Sequence, residues 1–123
     1  MNCRGIRGAT SVEANEAGAI IAATRELLEQ MVAANNLAIE DVASVIFTAT
    51  HDLDADYPAR AAREMGWNNV PLLCLQEMTV PNSLPRCIRI LILWNTDRTS
   101  DQIKHVYLRR ASSLRPDLAK EEK

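Results

Sequence analysis

The chain has 123 residues, 47% of them hydrophobic and 24% charged, with a formal net charge of -2. That suffices for one domain burying about two-thirds of its unfolded surface, and the charge excludes a generally basic nucleic-acid binder. No apolar run approaches the roughly 20 residues of a bilayer span, and no hydrophobic segment follows Met1-Asn2-Cys3-Arg4, so the expectation is a soluble cytoplasmic chain without a membrane partner.

Cys3 to Ala9 reads as a short strand ending in a turn marked by Gly5 and Gly8. Asn15 then suits the cap of a long helix reaching about Ala34, because Ile20, Thr24, Leu27, Leu28, Met31 and Val32 recur at helical spacing and Asn35-Asn36 can end it. After a helical turn at Ile39-Glu40-Asp41, a second strand is expected over Val42 to Thr50. Pro58 fits the first position of a short helix through Ala59, Ala61, Ala62 and Met65, closed by Gly66. Val70 to Gln76 and Arg86 to Asn95 read as strands, separated by a loop holding Pro81 and Pro85. Ser100 suits a helical cap, His105 to Leu108 a short edge strand, and Arg109 to Leu114 a coil before Pro116. The expected organisation is one domain over residues 1–118 with a flexible tail at 119–123.

This order predicts an α+β fold, a mixed sheet packed on one long and one short helix. The strand Cys87 to Trp94 is apolar on both alternating faces, with Ile88, Ile90, Ile92 and Trp94 on one and Leu91 and Leu93 on the other. One long helix and one short one cannot cover both, so the second face is expected to meet another copy of the chain.

Arg89 lies within that strand, where an unpaired buried guanidinium would cost several kcal/mol. It must face an anion, a rim or a polar cavity, and Glu77 is the structural candidate within the chain. Eleven of the fourteen cations are arginine, whose planar fork matches carboxylates and phosphates; genomic base composition is the competing explanation. The three cysteines are odd in number and widely spaced, which argues for reduced thiols rather than a disulfide or zinc framework. Cys74 on an apolar strand reads as a small core residue. Neither His51 nor His105 has a visible partner to make it a base. Glycine-rich phosphate loops, nucleophile elbows and paired-histidine metal motifs are all missing from the sequence, which points to chemistry without a cofactor or metal.

Arg4-Gly5-Ile6-Arg7-Gly8-Ala9-Thr10, Thr50-His51-Asp52-Leu53, Tyr57-Pro58-Ala59-Arg60-Ala61-Ala62-Arg63, Gln76-Glu77-Met78, Leu84-Pro85-Arg86-Cys87-Ile88-Arg89 and His105-Val106-Tyr107-Leu108 occur in order, followed by Leu114-Arg115-Pro116-Asp117-Leu118. Together they resemble chorismate mutase of the trimeric AroH class over nearly the whole chain. The resemblance implies a barrel-like homotrimer with interfacial active sites. It implies conversion of chorismate to prephenate, a 3,3-sigmatropic rearrangement in aromatic amino acid biosynthesis that needs no acid, base, nucleophile or cofactor. Arg89 matches the arginine that reaches the ether oxygen and a nearby carboxylate, and Arg7 matches another substrate-carboxylate ligand. Glu77 and Cys74 match positions that hydrogen-bond the ring hydroxyl, with Leu73 beside them as a substrate contact, and Tyr107 matches a carboxylate contact. Tyr57, Arg63 and Arg115 match residues that close the cleft mouth.

Three departures bear on that match. Tyr57 stands where phenylalanine is expected, and Asp52, Asp54 and Asp56 make an acidic loop expected to face solvent. Cys74 and Glu77 are three apart, so a regular strand points them to opposite faces. Two alternatives complete the reading: an imine-deaminase-like trimer, and a non-enzymatic trimer that binds carboxylate metabolites.

Overall fold

Period-two alternation in the apolar runs produces five strands, and all five join one sheet. The computed structural model describes residues 1–114, so Arg115 and the expected tail lie outside the described residues. The strands are β1 (Asn2–Ser11), β2 (Val42–Ala49), β3 (Leu72–Gln76), β4 (Cys87–Thr96) and β5 (Val106–Tyr107). Their spatial order is β3-β2-β4-β1-β5. Central β4 runs antiparallel to both β1 and β2, while the outer strands β3 and β5 run parallel to β2 and β1. The fold is thus mixed α+β, with α1 (Ala17–Asn35) and α2 (Ala59–Glu64) as its helices.

One face of the sheet carries the core. Ile6 of β1, Val45 and Phe47 of β2, and Ile88, Ile90, Ile92 and Trp94 of β4 are buried together with Ile20, Leu27, Leu28 and Met31 of α1. The expected stripe on α1 is therefore the buried one, except that Asn35 is fully buried whereas Val32 is only half-buried. The Asn35 side chain donates to the Met31 carbonyl at 3.0 Å and the Lys104 carbonyl at 2.9 Å, and accepts from the Lys104 N–H at 2.8 Å. A buried amide so partnered loses little by leaving water, and it ties the end of α1 to the approach to β5. Asn36, at φ 50°, then ends the helix in the left-handed conformation that asparagine tolerates.

Several local expectations are corrected by long-range contacts. β1 does not turn at its glycines but runs through them to Ser11. A Cβ on Gly8 would lie 2.4 Å from the Met31 sulfur, so this glycine serves close helix-on-sheet packing. Asn15 does not cap α1; Glu16 stands at the cap without a side-chain bond. The Asn15 side chain instead accepts from the N–H groups of Asp54 and Ala55 and donates to the Asp54 carboxylate. Thr99, not Ser100, caps the 3-10 turn Ser100–Gln102, in a capping box with Gln102. Arg109–Ser113 is a 3-10 segment rather than coil. The short helix is as expected: Pro58 precedes α2, and Gly66, at φ 92°, follows it.

Among the described residues no α-helix lies over the opposite face of the sheet, and only the 3-10 segment Arg109–Ser113 packs on its β1–β5 end, with Ala111 against Ala9 and Tyr107. Ile46, Leu91 and Leu93 are half-buried there, and Leu73 and Leu75 are exposed by 54% and 49%. No helix among the described residues is long and apolar enough to cross a membrane.

Candidate active site

Arg89 projects onto this uncovered face, because it shares the parity of Leu91 and Leu93 rather than that of the buried isoleucines. Strand pairing places it in a row across the sheet: Leu75 beside Thr48, Thr48 beside Arg89, Arg89 beside Ala9, and Ala9 beside Tyr107. Glu77, one residue beyond β3, continues the pairing through its N–H to the Ala49 carbonyl at 2.9 Å. Its carboxylate meets the Arg89 Nε at 3.2 Å. The Arg89 side chain stays 45% exposed and Glu77 24%, so the pair sits at a wet rim and not in the core. Arg7 belongs to the next row, opposite Leu91 and diagonal to Arg89, a separation of about 7–8 Å between backbones. Its N–H donates to Nδ1 of His105 at 3.0 Å, which ties β5 to β1 and gives that histidine a structural partner. Tyr107 is buried against Ala9 and Ala111, with Leu84 and Leu114 packed around them.

A second group lies at the β3 edge. Tyr57, Arg63 and Cys74 line a cleft of about 280 Å³ together with Ala59, Leu72 and Leu73. Tyr57 is 67% exposed, and Arg63 projects from the exposed side of α2. The pairing of β3 with β2 is regular from Leu72 to Gln76, so no bulge turns Cys74 toward Glu77. The Cys74 side chain packs against the core side while Leu73 faces the uncovered side. One chain thus holds Arg7, Glu77, Arg89 and Tyr107 on one face, and Tyr57, Arg63 and Cys74 at an edge behind it.

The acidic loop is only partly left to solvent: Asp54 is exposed, as expected, while Asp52 and Asp56 are half-buried. Asp52 accepts from the Thr50 hydroxyl and from the Arg86 N–H, at 3.1 and 3.0 Å to its two oxygens. Thr50 also accepts from the Cys87 N–H, and the Arg86 Nε donates to the Val12 carbonyl. Arg86 adopts φ 46° within this knot, which fixes the start of β4 three residues before Arg89. Burial opposes ionisation of Asp52, but the bonds from Thr50 and Arg86 outweigh it and hold the carboxyl below its ordinary value. Asp54 pairs with Asn15, and Asp56 accepts from the Tyr57 N–H and from Arg60. The Tyr57 N–H, with help from Arg60, keeps the Asp56 carboxyl low as well.

Such a site offers fixed cations and one anchored carboxylate, an arrangement suited to a small dianion whose charge shifts during reaction. The thiols offer little: burial pushes Cys87 up to about 11 and raises Cys74 too, although a backbone contact from Ala59 and the Arg63 charge partly oppose the latter. Both are protonated near neutrality and make poor nucleophiles. Among the described residues no group of three or more His, Cys, Asp and Glu is placed to hold a metal ion. Thr48 stands in this row between Glu77 and Arg89, a placement sequence reasoning missed; its parity with Ser44 and Ile46 on the uncovered face was the available signal.

Comparison with known proteins agrees with this geometry. Residues 3–118 match the family model described as chorismate mutase type I. The chain is 56% identical to chorismate mutase AroH of Thermus thermophilus over 116 residues, covering 94% of this chain and 95% of the relative. It is 47% identical to chorismate mutase AroH of Bacillus subtilis over 120 residues, covering 97% and 94%. A solved chorismate mutase from Clostridium thermocellum superposes with a TM-score of 0.88 at 49% identity, over 89% of this chain and 98% of that one. Fold, the placement of Arg7 and Arg89 on one face, and full-length similarity lead to one assignment: this chain belongs to the type I chorismate mutase family, and its activity is that of a chorismate mutase, an isomerase.

Proposed function

We propose that the chain rearranges chorismate to prephenate at sites shared between the subunits of a homotrimer, in the cytoplasm. The observation that carries this reading is the split of the site. The Arg89 group and the Tyr57–Arg63–Cys74 group lie on different sides of one sheet, so neither alone surrounds a ligand. The uncovered face between them is apolar enough to seat a second copy, with Ile46, Leu73, Leu75, Leu91 and Leu93 on it. A cyclic, head-to-tail contact brings the edge group of one subunit over the row of the next.

In that arrangement Arg7 and Arg89 bind the two carboxylates and hold the compact conformer in which the reacting carbons meet, removing much of the entropic barrier. As the ether bond breaks, its oxygen gains negative charge beside Arg89, and a cation fixed on a central strand meets that charge without reorganising. Glu77 accepts a hydrogen bond from the ring hydroxyl, and Tyr107 donates to a carboxylate. Tyr57 and Arg63 of the neighbouring subunit cover the mouth beside Leu73 and Cys74, and Arg115 closes it from the end of the chain. Prephenate leaves by the same mouth.

Subunit mixing tests the shared site. Arg63→Ala and Arg89→Ala chains, each folded and each nearly inactive alone, are co-expressed with different tags and the mixed trimers isolated. Each isolated mixed trimer holds about one intact site in three, the one pairing an intact row with an intact neighbouring edge. Mixed trimers without recovered prephenate formation would place both groups in one chain's site and overturn the proposal.

A further inference from the structure

We propose that Thr48 is a positioning residue for the rearrangement, acting through Glu77. The Thr48 Oγ1 donates to the Glu77 Oε2 at 2.6 Å, and the Arg89 Nε approaches that same oxygen at 3.2 Å. Both contacts fall on Oε2, which leaves Oε1 outside them for a ligand hydroxyl.

The backbone explains why such a tether is needed. Glu77 is the last residue held by the sheet, through its N–H to the Ala49 carbonyl. The chain then leaves into a loop where Met78 is 80% and Val80 52% exposed. A glutamate has three rotatable side-chain bonds, and a charge pair with Arg89 constrains distance more than direction. Thr48 is β-branched and stiff at χ1, sits mid-strand on β2 and pairs directly with Arg89. Its hydroxyl is therefore a fixed donor that sets the plane of the carboxylate. Without it, the attraction between Glu77 and Arg89 is free to draw the carboxylate onto the guanidinium's terminal nitrogens, the donors the substrate requires.

This inference rests on the proposed role of Glu77, so the experiment carries that residue separately. Prephenate formation is measured for wild type, Thr48→Val, Thr48→Ser, Glu77→Gln and the Thr48→Val/Glu77→Gln pair, with circular dichroism and native mass as checks of folding. Thr48→Val keeps shape and loses only the donor. It is expected to lower kcat/KM about ten- to a hundred-fold, the scale of a hydrogen bond to a charged group, with most of the change in kcat. Thr48→Ser restores activity to within about threefold, and in the Glu77→Gln background the valine adds less than about twofold because the route is already broken.

Unchanged activity in folded Thr48→Val would overturn the inference, as would failure of serine to rescue or full additivity in the pair. If Glu77→Gln itself retains wild-type turnover, the Glu77 role falls and Thr48 falls with it. Should Thr48→Val not fold, Thr48→Ala is judged against Thr48→Ser by the same criteria.

Discussion

A guanidinium in an apolar strand is costly only if the strand buries it on both faces. Arg89 escapes that cost because its parity sends it to the uncovered side, where it remains 45% exposed and meets Glu77 at 3.2 Å. The pair therefore does not answer the question of stability, and the charge is free to act on a ligand. Rigidity is what arginine adds here: its fork is planar and always charged, whereas a lysine ammonium ends a flexible stem. Arg89→Lys is expected to fold normally and to lose about 10²–10³-fold in kcat, corresponding to roughly 3–4 kcal/mol for a well-aimed donor. Circular dichroism beside a chorismate-consumption assay decides it, and a folded lysine variant with near-wild-type kcat would sink the electrostatic account.

Among the elements, the contact between α1 and β1 is the tightest. Gly8 has no side chain because the Met31 sulfur occupies the place where a Cβ would stand, with Leu27 Cδ1 at 3.2 Å. Gly8→Ala forces the fully buried Met31 side chain to move, and overpacking of this kind costs about 1–3 kcal/mol. Thermal unfolding should show a lower Tm, partly recovered by pairing Gly8→Ala with Met31→Val; equal Tm values for Gly8→Ala and wild type would refute the packing account. The same contact shows what was legible in the sequence. Periodicity located α1 and β4 and assigned the parity of Arg89, because those signals are local. It ended β1 too early, because a glycine required by a helix some twenty residues away looks like a turn in its own neighbourhood. Asn15 was misjudged for a related reason: capping is the local use of asparagine, but the Asp54–Ala55 loop claims its side chain. Thr48 was missed because threonine is an ordinary strand residue, and only the pairing of β2 with β4 and the return of the chain at Glu77 bring its hydroxyl to that carboxylate. The roles of Arg7, Glu77 and Tyr107 came from family resemblance rather than from any pattern in the chain.

For the whole molecule, the main asymmetry among the described residues is a sheet with both α-helices on one side. Its other face combines an apolar centre with a charged row at one end, and the proposed trimer covers the first while completing the second. Leu91 lies beside Arg7 and Ile46 in the middle of that face. Leu91→Glu introduces a charge that a subunit contact must either bury or exclude. Light scattering after gel filtration is expected to show dissociation to smaller species, with activity falling in step. A Leu91→Glu protein of unchanged mass would mean that this face is not the interface.

The position of β1 has a further consequence, for how the molecule comes into being. β1, which is made before the other four strands described, lies between β4 and β5, pairing Asn2 with Thr96, Ser11 with Cys87 and Ala9 with Tyr107. It has no strand partner near it in sequence. At roughly 5–20 residues per second, a ribosome needs several seconds to supply one, and loop-closing contacts of such length slow folding in any case. Until then an alternating apolar segment waits unpaired. Because Arg89, Ala9 and Tyr107 occupy one row, the proposed site forms only when β1 has met β4 and β5. On the proposed site, activity thus reports on complete folding, and a nascent chain stalled before β4 lacks both a finished sheet and Arg89.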